Sequence, residues 1–279
     1  MGRSYTIFLD NEGEYYFYPS SYYVEENQLV DAASYTVSLE QDGVSYQQAF
    51  ARELSTWNLD LDIPVSSAQK TLQLAFVIDT TWSMGDQINK IKETIQSVVG
   101  QVKEGNASLS IEYGLVAYKD KHDQYLTSAY QFTSDLDAYQ ERLDGLSAWG
   151  GGDYPEDINS WLEEAMEFLN RSDDASTWRL AFLVADAPPH MDYNQTYDYR
   201  VALLRAVEQW VKIYPVASSG LDNTVGELIF RQIALITNAS YVFITKGASG
   251  KTDYHVDEQS YSVASLDDLL VDIILREVN

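Results

Sequence analysis

Leu72-Gln73-Leu74-Ala75-Phe76-Val77-Ile78-Asp79-Thr80-Thr81-Trp82-Ser83 is the stretch on which the reading of this chain turns. Its first seven residues are almost wholly apolar, as in a strand buried on both faces of a parallel sheet. The run then ends on a carboxylate, with hydroxyls two and four residues later. A strand that stops this way delivers Asp79, Thr81 and Ser83 into one small space. Hard oxygens gathered like this suit Mg²⁺, Mn²⁺ or Ca²⁺ far better than a soft metal.

Around that stretch, apolar strands alternate with amphipathic helices. Strands are expected at 72–78, 111–118, 180–185, 213–217 and 241–244. Helical spacing puts Ile88, Ile91, Ile95, Val98 and Val99 on one face, and likewise Ile158, Leu162, Ala165, Met166 and Leu169. Leu204, Val207 and Val211 repeat the spacing, and a last helix carries Leu266, Leu269, Leu270, Ile273 and Ile274. The expected fold class is α/β: a Rossmann-like, doubly wound, mostly parallel sheet flanked by helices. Ligands in such sheets sit at the carboxyl ends of the strands, where the winding direction switches. Asp79 and Asp186 both stand where a central-looking strand ends.

Residues 1–66 differ. Tyr5–Leu9 and Tyr15–Tyr18 are strand-like around the turn signal of 10–14. Ala33–Leu39 and Gln41–Tyr46 suggest strand, turn and strand around Asp42-Gly43, and 57–63 alternates with period two. This predicts a small β-rich appendage packing on a main domain of residues 70–279, with 64–67 as linker.

The composition excludes several classes. The chain has 279 residues and a hydrophobic fraction of 45%, enough for a substantial core. No segment approaches the roughly 18 apolar residues of a membrane span, so no membrane insertion is expected. Met1-Gly2-Arg3 leads straight into a β-like segment with no legible signal peptide. With 43 acidic against 18 basic residues the net charge is -25, which repels phosphate backbones and argues against nucleic acid. Cations and basic partners are favoured. The absence of cysteine removes thiolate nucleophiles, disulfides and zinc–thiolate sites. The 21 tyrosines and 6 tryptophans supply amphipathic contact groups.

Two more segments can converge on Asp79. Ala148-Trp149-Gly150-Gly151-Gly152-Asp153-Tyr154-Pro155-Glu156 offers three glycines for close backbone approach before Pro155 opens a helix. Phe182-Leu183-Val184-Ala185-Asp186-Ala187-Pro188-Pro189-His190 is a buried strand ending in a carboxylate. Together with D-x-[ST]-x-S at 79–83, these three ordered loops closely resemble von Willebrand factor type A domains of the bacterial kind, across residues 70–279. The resemblance implies a metal-ion-dependent adhesion site whose ligands are Asp79, Thr81, Ser83, Asp153 and Asp186, with Mg²⁺ first and Mn²⁺ or Ca²⁺ as alternatives. Asp153 stands where animal integrin-type domains carry threonine. A third carboxylate weakens the pull on an acidic ligand, so metal binding follows more firmly than capture of a partner's carboxylate. Trp82 replaces a residue that is usually small. It is expected on the rim of the metal face, with Trp149, Tyr154 and Tyr193. The alternative for the two tryptophans is packing against each other or the appendage.

The implied function is a non-enzymatic, metal-dependent protein-binding or adhesion module that meets a protein or glycan as a monomer. It is expected outside the cell, in the periplasm or at the cell surface. One rival is a magnesium-dependent hydrolase or phosphatase, although Thr81 stands where a dehalogenase-type signature needs its second aspartate. Another is a cytoplasmic subunit of an ATPase or chelatase-type assembly. A Ser83–His190–Asp186 triad is disfavoured, because Asp186 is committed as a ligand and no G-x-S-x-G elbow exists.

Overall fold

The computed structural model describes residues 34–41, 44–51, 53–54, 56–58, 71–120, 123, 127–151, 155–169, 177–192, 198–218, 221, 225–244 and 265–278. The strands expected at 5–9 and 15–18 and the linker at 64–67 lie outside them. The chain divides into two compact units.

In the smaller unit, β1 (Ser34–Gln41) and β2 (Val44–Ala51) pair antiparallel, with Gln41 opposite Val44. This is the hairpin expected around Asp42-Gly43. Trp57 stacks on Phe50 at 5.1 Å with planes 7° apart, and Tyr35 flanks it at 5.4 Å. A lone hairpin is marginal in water, and these rings give it an apolar side. Trp57 and Asn58 are irregular, so the expected strand does not begin there, and 59–63 lie outside the described residues.

The larger unit runs β3 (Thr71–Asp79), α1 (Gly85–Gly105), β4 (Ser110–Tyr118), β5 (Thr127–Thr133), α2 (Leu136–Asp144), α3 (Ile158–Leu169), β6 (Thr177–Ala185), α4 (Tyr199–Glu208), β7 (Val211–Ala217), α5 (Val225–Ile236), β8 (Val242–Phe243) and α6 (Leu266–Val278). Its six-stranded sheet has the order β5-β4-β3-β6-β7-β8. Every neighbouring pair is parallel except β4 and β5. The Rossmann-like, doubly wound α/β architecture is therefore present.

The continuous apolar runs of the central strands now have a cause. Successive side chains alternate between faces, and both faces are covered. Leu72, Leu74, Phe76 and Ile78 of β3 join one core with buried residues of α1, α2 and α6. Ala75 and Val77 join the other with α3, α4 and α5. Phe76, Phe182 and Tyr214 lie in register across β3, β6 and β7. Their rings stack at 5.4 and 5.3 Å. Each such ring contributes about 2 kcal/mol by burial alone.

The third helical face differs from expectation. α4 buries Ala202, Leu203, Ala206 and Val207, while Leu204 is only half-buried. Val211 opens β7 instead, because Trp210 adopts φ 59° and turns the chain out of the helix. At the other end of the unit, Glu277 of α6 is buried with Lys212 of β7. Lys212 Nζ lies 2.6 Å from Glu277 Oε2, and the Tyr214 hydroxyl donates to Oε1. Among the described residues no helix is long and apolar enough to cross a membrane.

Candidate functional site

The winding reverses between β3 and β6, which are neighbours at the centre of the sheet. Asp79 ends β3 and Asp186 follows β6 by one residue, so the two carboxylates share the crevice where such sheets bind ligands. Asp79 is fully buried, and Asp186 nearly so.

The first loop folds back on Asp79. The Thr81 N–H and its hydroxyl both donate to Asp79 Oδ1 at 2.8 Å. That bond uses the hydroxyl's proton and leaves its lone pairs for a cation. Asp79 Oδ2, fully shielded from solvent, has no hydrogen-bond partner. Burial first, and the Asp186 charge second, push the Asp79 carboxyl up to about 7, against the bonds from Thr81 and the charge of Lys119. Ser83 lies exposed on a 3-10 turn, Trp82–Met84, which leads into α1.

The second loop is stitched to the first by backbone. Trp149 N–H donates to Thr80 O, and Trp82 N–H to Gly150 O, both at 3.1 Å. Gly151 has φ +84°, and a Cβ there would sit 3.0 Å from Thr81 Cβ and 3.3 Å from Glu156 Oε1. Glycine is needed for both the backbone angle and the space. Gly151→Ala is expected to cost about 1–3 kcal/mol and to displace Thr81. Urea denaturation reads the first effect, and a smaller metal-induced melting shift reads the second. Gly150, at φ +79°, packs on Asp123, whose Oδ2 accepts from Gly151 N–H at 2.9 Å.

Glu156 is the site residue that the sequence reading passed over. It is buried at 4% exposure. Desolvation, followed by Asp79, Asp120, Asp186 and Asp123, pushes its carboxyl up to about 9. Its Oε2 has no hydrogen-bond partner. The helix begins three residues after Pro155, at Ile158. Asp157 accepts there from Ser160 N–H at 3.2 Å and from Ser160 Oγ at 2.8 Å. Glu156, just before that cap, forms a parallel bridge with Pro189 of the third loop. Glu156 N–H donates to Pro188 O, and His190 N–H to Glu156 O, at 3.1 Å.

Lys119, also unassigned by sequence, is fully buried at the end of β4. Its ammonium donates to Thr80 O and Trp149 O, fastening the first loop to the second. It lies 4.5 Å from the centroid of the Trp149 ring. Burial draws its ammonium below the ordinary range, while Asp123, Asp79 and Glu156 pull the other way. His190 Nδ1 lies 2.7 Å from Asp192 Oδ1 and Nε2 lies 3.8 Å from Asp120 Oδ1. The imidazole thus faces those carboxylates rather than a Ser83–Asp186 pair.

The structure brings Asp79, Thr81 and Asp186 together and adds Glu156. Ser83 stands at the edge. Trp82 is 78% exposed and Trp149 37%. Asp153, Tyr154 and Tyr193 lie outside the described residues. Among the described residues no three Asp, Glu, His or Cys side chains form a ready metal cage.

The von Willebrand factor A domain profile matches residues 73–254. An ariadne-like RING finger protein of Acanthamoeba polyphaga mimivirus is 24% identical over 191 residues, 67% of this chain and 18% of that protein. Von Willebrand factor A domain-containing protein 7 of Rattus norvegicus is 38% identical over 106 residues, 38% of this chain and 11% of that protein. The chain therefore spans less than a fifth of the length of either relative. Among solved structures, the pilus adhesin SpaC of Lactobacillus rhamnosus GG, in its open conformation, has a TM-score of 0.47 at 12% identity, covering 76% of this chain and 31% of that chain.

Proposed function

This chain belongs to the von Willebrand factor A domain family, and from that membership we propose a non-enzymatic binding module whose partner face is ordered by a hard divalent cation. At the coarser level, the domain is a protein-interaction module of the adhesion type. Asp79, Asp186 and the hydroxyls of Thr81 and Ser83 are the groups that would hold the ion, with Asp153 as a further candidate. Mg²⁺ suits that oxygen set best, with Mn²⁺ or Ca²⁺ as substitutes.

The observation that carries this reading is Asp79 Oδ2, a buried carboxylate oxygen without a partner, in a crevice it shares with Asp186 and Glu156. Leaving such an oxygen unmatched is costly. When bound, the cation supplies the positive charge that these carboxylates otherwise lack. Thr81 is oriented for that role by its bond to Asp79 Oδ1, and Gly151 lets the second loop close over it.

The test is the melting temperature in Mg²⁺, Mn²⁺, Ca²⁺ or chelator. A ligand at about a hundred times its Kd stabilises by about 2.7 kcal/mol, an upward shift of about 5–10 °C for a domain this large. Asp79→Ala should erase the shift. An unchanged shift in that variant would put the ion elsewhere.

A further inference from the structure

We propose that the rim made by Trp82, Trp149 and Met191 docks a basic segment of a partner protein, whose arginine or lysine side chains lie against the exposed indoles and the neighbouring carboxylates. The proposal rests on the family-level reading of the domain as a protein-interaction module and not on occupancy of the cation site.

Trp82, Trp149 and Met191 are 78%, 37% and 49% exposed. They stand on three different loops that backbone bonds join into one surface. Trp82 N–H binds Gly150 O beside Trp149, and the second loop meets the third through Glu156 and His190, next to Met191. Trp82 sits on a turn held by backbone bonds and leaves its ring exposed. Leaving it in water forgoes burial that other positions of the chain achieve. Aromatic and methionine side chains in such places are what protein interfaces use as anchors.

The charge around these anchors is of one sign. Asp192 is 77% exposed, Asp86 is exposed in the first turn of α1 and Asp123 is half-buried. Asp120 and Asp186 lie buried beneath them. The nearby Lys119 ammonium is already engaged with two carbonyls. An acidic segment is repelled by this face and a basic one steered to it. The Trp149 ring already carries one ammonium, that of Lys119, 4.5 Å from its centroid. The same cation–π attraction is available to an incoming side chain at the exposed indole of Trp82.

The probes are two acetylated, amidated peptides, Arg-Leu-Arg-Phe-Arg and Glu-Leu-Glu-Phe-Glu, titrated by calorimetry into the whole chain with Mg²⁺ and with chelator. The expected result is that the basic peptide binds under both conditions and weakens as salt rises. Trp82→Ala and Asp192→Asn should each weaken it about fivefold, Trp82→Ala without lowering the melting temperature. Three results overturn the proposal. One is tighter binding of the acidic peptide in Mg²⁺, which makes the ion the docking group. Another is unchanged affinity in both variants, which leaves only diffuse attraction to a chain of net charge -25. The third is no binding of either peptide. The melting shift with metal reads the cation site separately, so either idea can fail alone.

Discussion

In chelator, the protein should lose stability as pH rises from about 5 to 8, and Asp79→Asn should remove much of that loss. The Asp79 carboxyl is pushed from 3.8 to about 7 in the folded chain by burial and then by Asp186. Between those two values the folded state holds a proton that the unfolded state has released. Stability therefore falls as pH rises through this window, by about 1.4 kcal/mol per unit for one group. Glu156, raised from 4.5 to about 9, acts in the same direction over an overlapping range. Asparagine keeps the acceptor for Thr81 but cannot ionise. The variant should be more stable than the parent at pH 8 in chelator, by roughly 4 kcal/mol, and match it only near pH 4. It should also gain nothing from Mg²⁺. Equal melting curves at both pH values would show that Asp79 carries no such burden.

The second large effect lies far from the loops. Glu277→Ala is expected to destabilise by about 3–5 kcal/mol, because it leaves the Lys212 ammonium buried without its carboxylate. Tyr214 also loses its acceptor there. The signature is non-additivity. Lys212→Met combined with Glu277→Leu removes both charges, and should recover most of the loss. Urea denaturation of the two single variants and the double variant measures the coupling, and amide exchange across α6 locates it. Additive losses would mean that the pair contributes only packing.

Much of the fold can be read directly from residues. β3, β4, β6 and β7 are apolar runs long enough to be strands and bounded by polar ends, and the two aspartates at the carboxyl ends of β3 and β6 stand out for that reason. Other elements lack such a signal. β5 is an edge strand of half-buried residues, Thr127-Ser128-Ala129-Tyr130-Gln131-Phe132-Thr133, with little contrast between its faces. α2 spans only Leu136–Asp144, started by the Asp135 carboxylate accepting from Asp137 and Ala138 N–H. α5 buries Gly226, Ile229, Phe230, Ile233 and Ala234 at helical spacing, but Val225, Leu228 and Leu235 put apolar residues on its exposed face and blur the stripe. Within the site, Asp79, Thr81 and Asp186 could be named because strand ends aim them. Glu156 and Lys119 could not. Charged residues beside loops are usually solvated, and only the bridge to Pro189 and the two carbonyls reveal why these are buried.

The sheet's outer limits bear on how copies of this chain meet. The described part of β8 is two residues long. The opposite margin, β5, runs antiparallel to β4 with a register shift between Tyr113 and Leu115. Short or irregular borders of this kind discourage edge-to-edge polymerisation. These described borders thus offer a second copy of the chain little regular backbone to pair with.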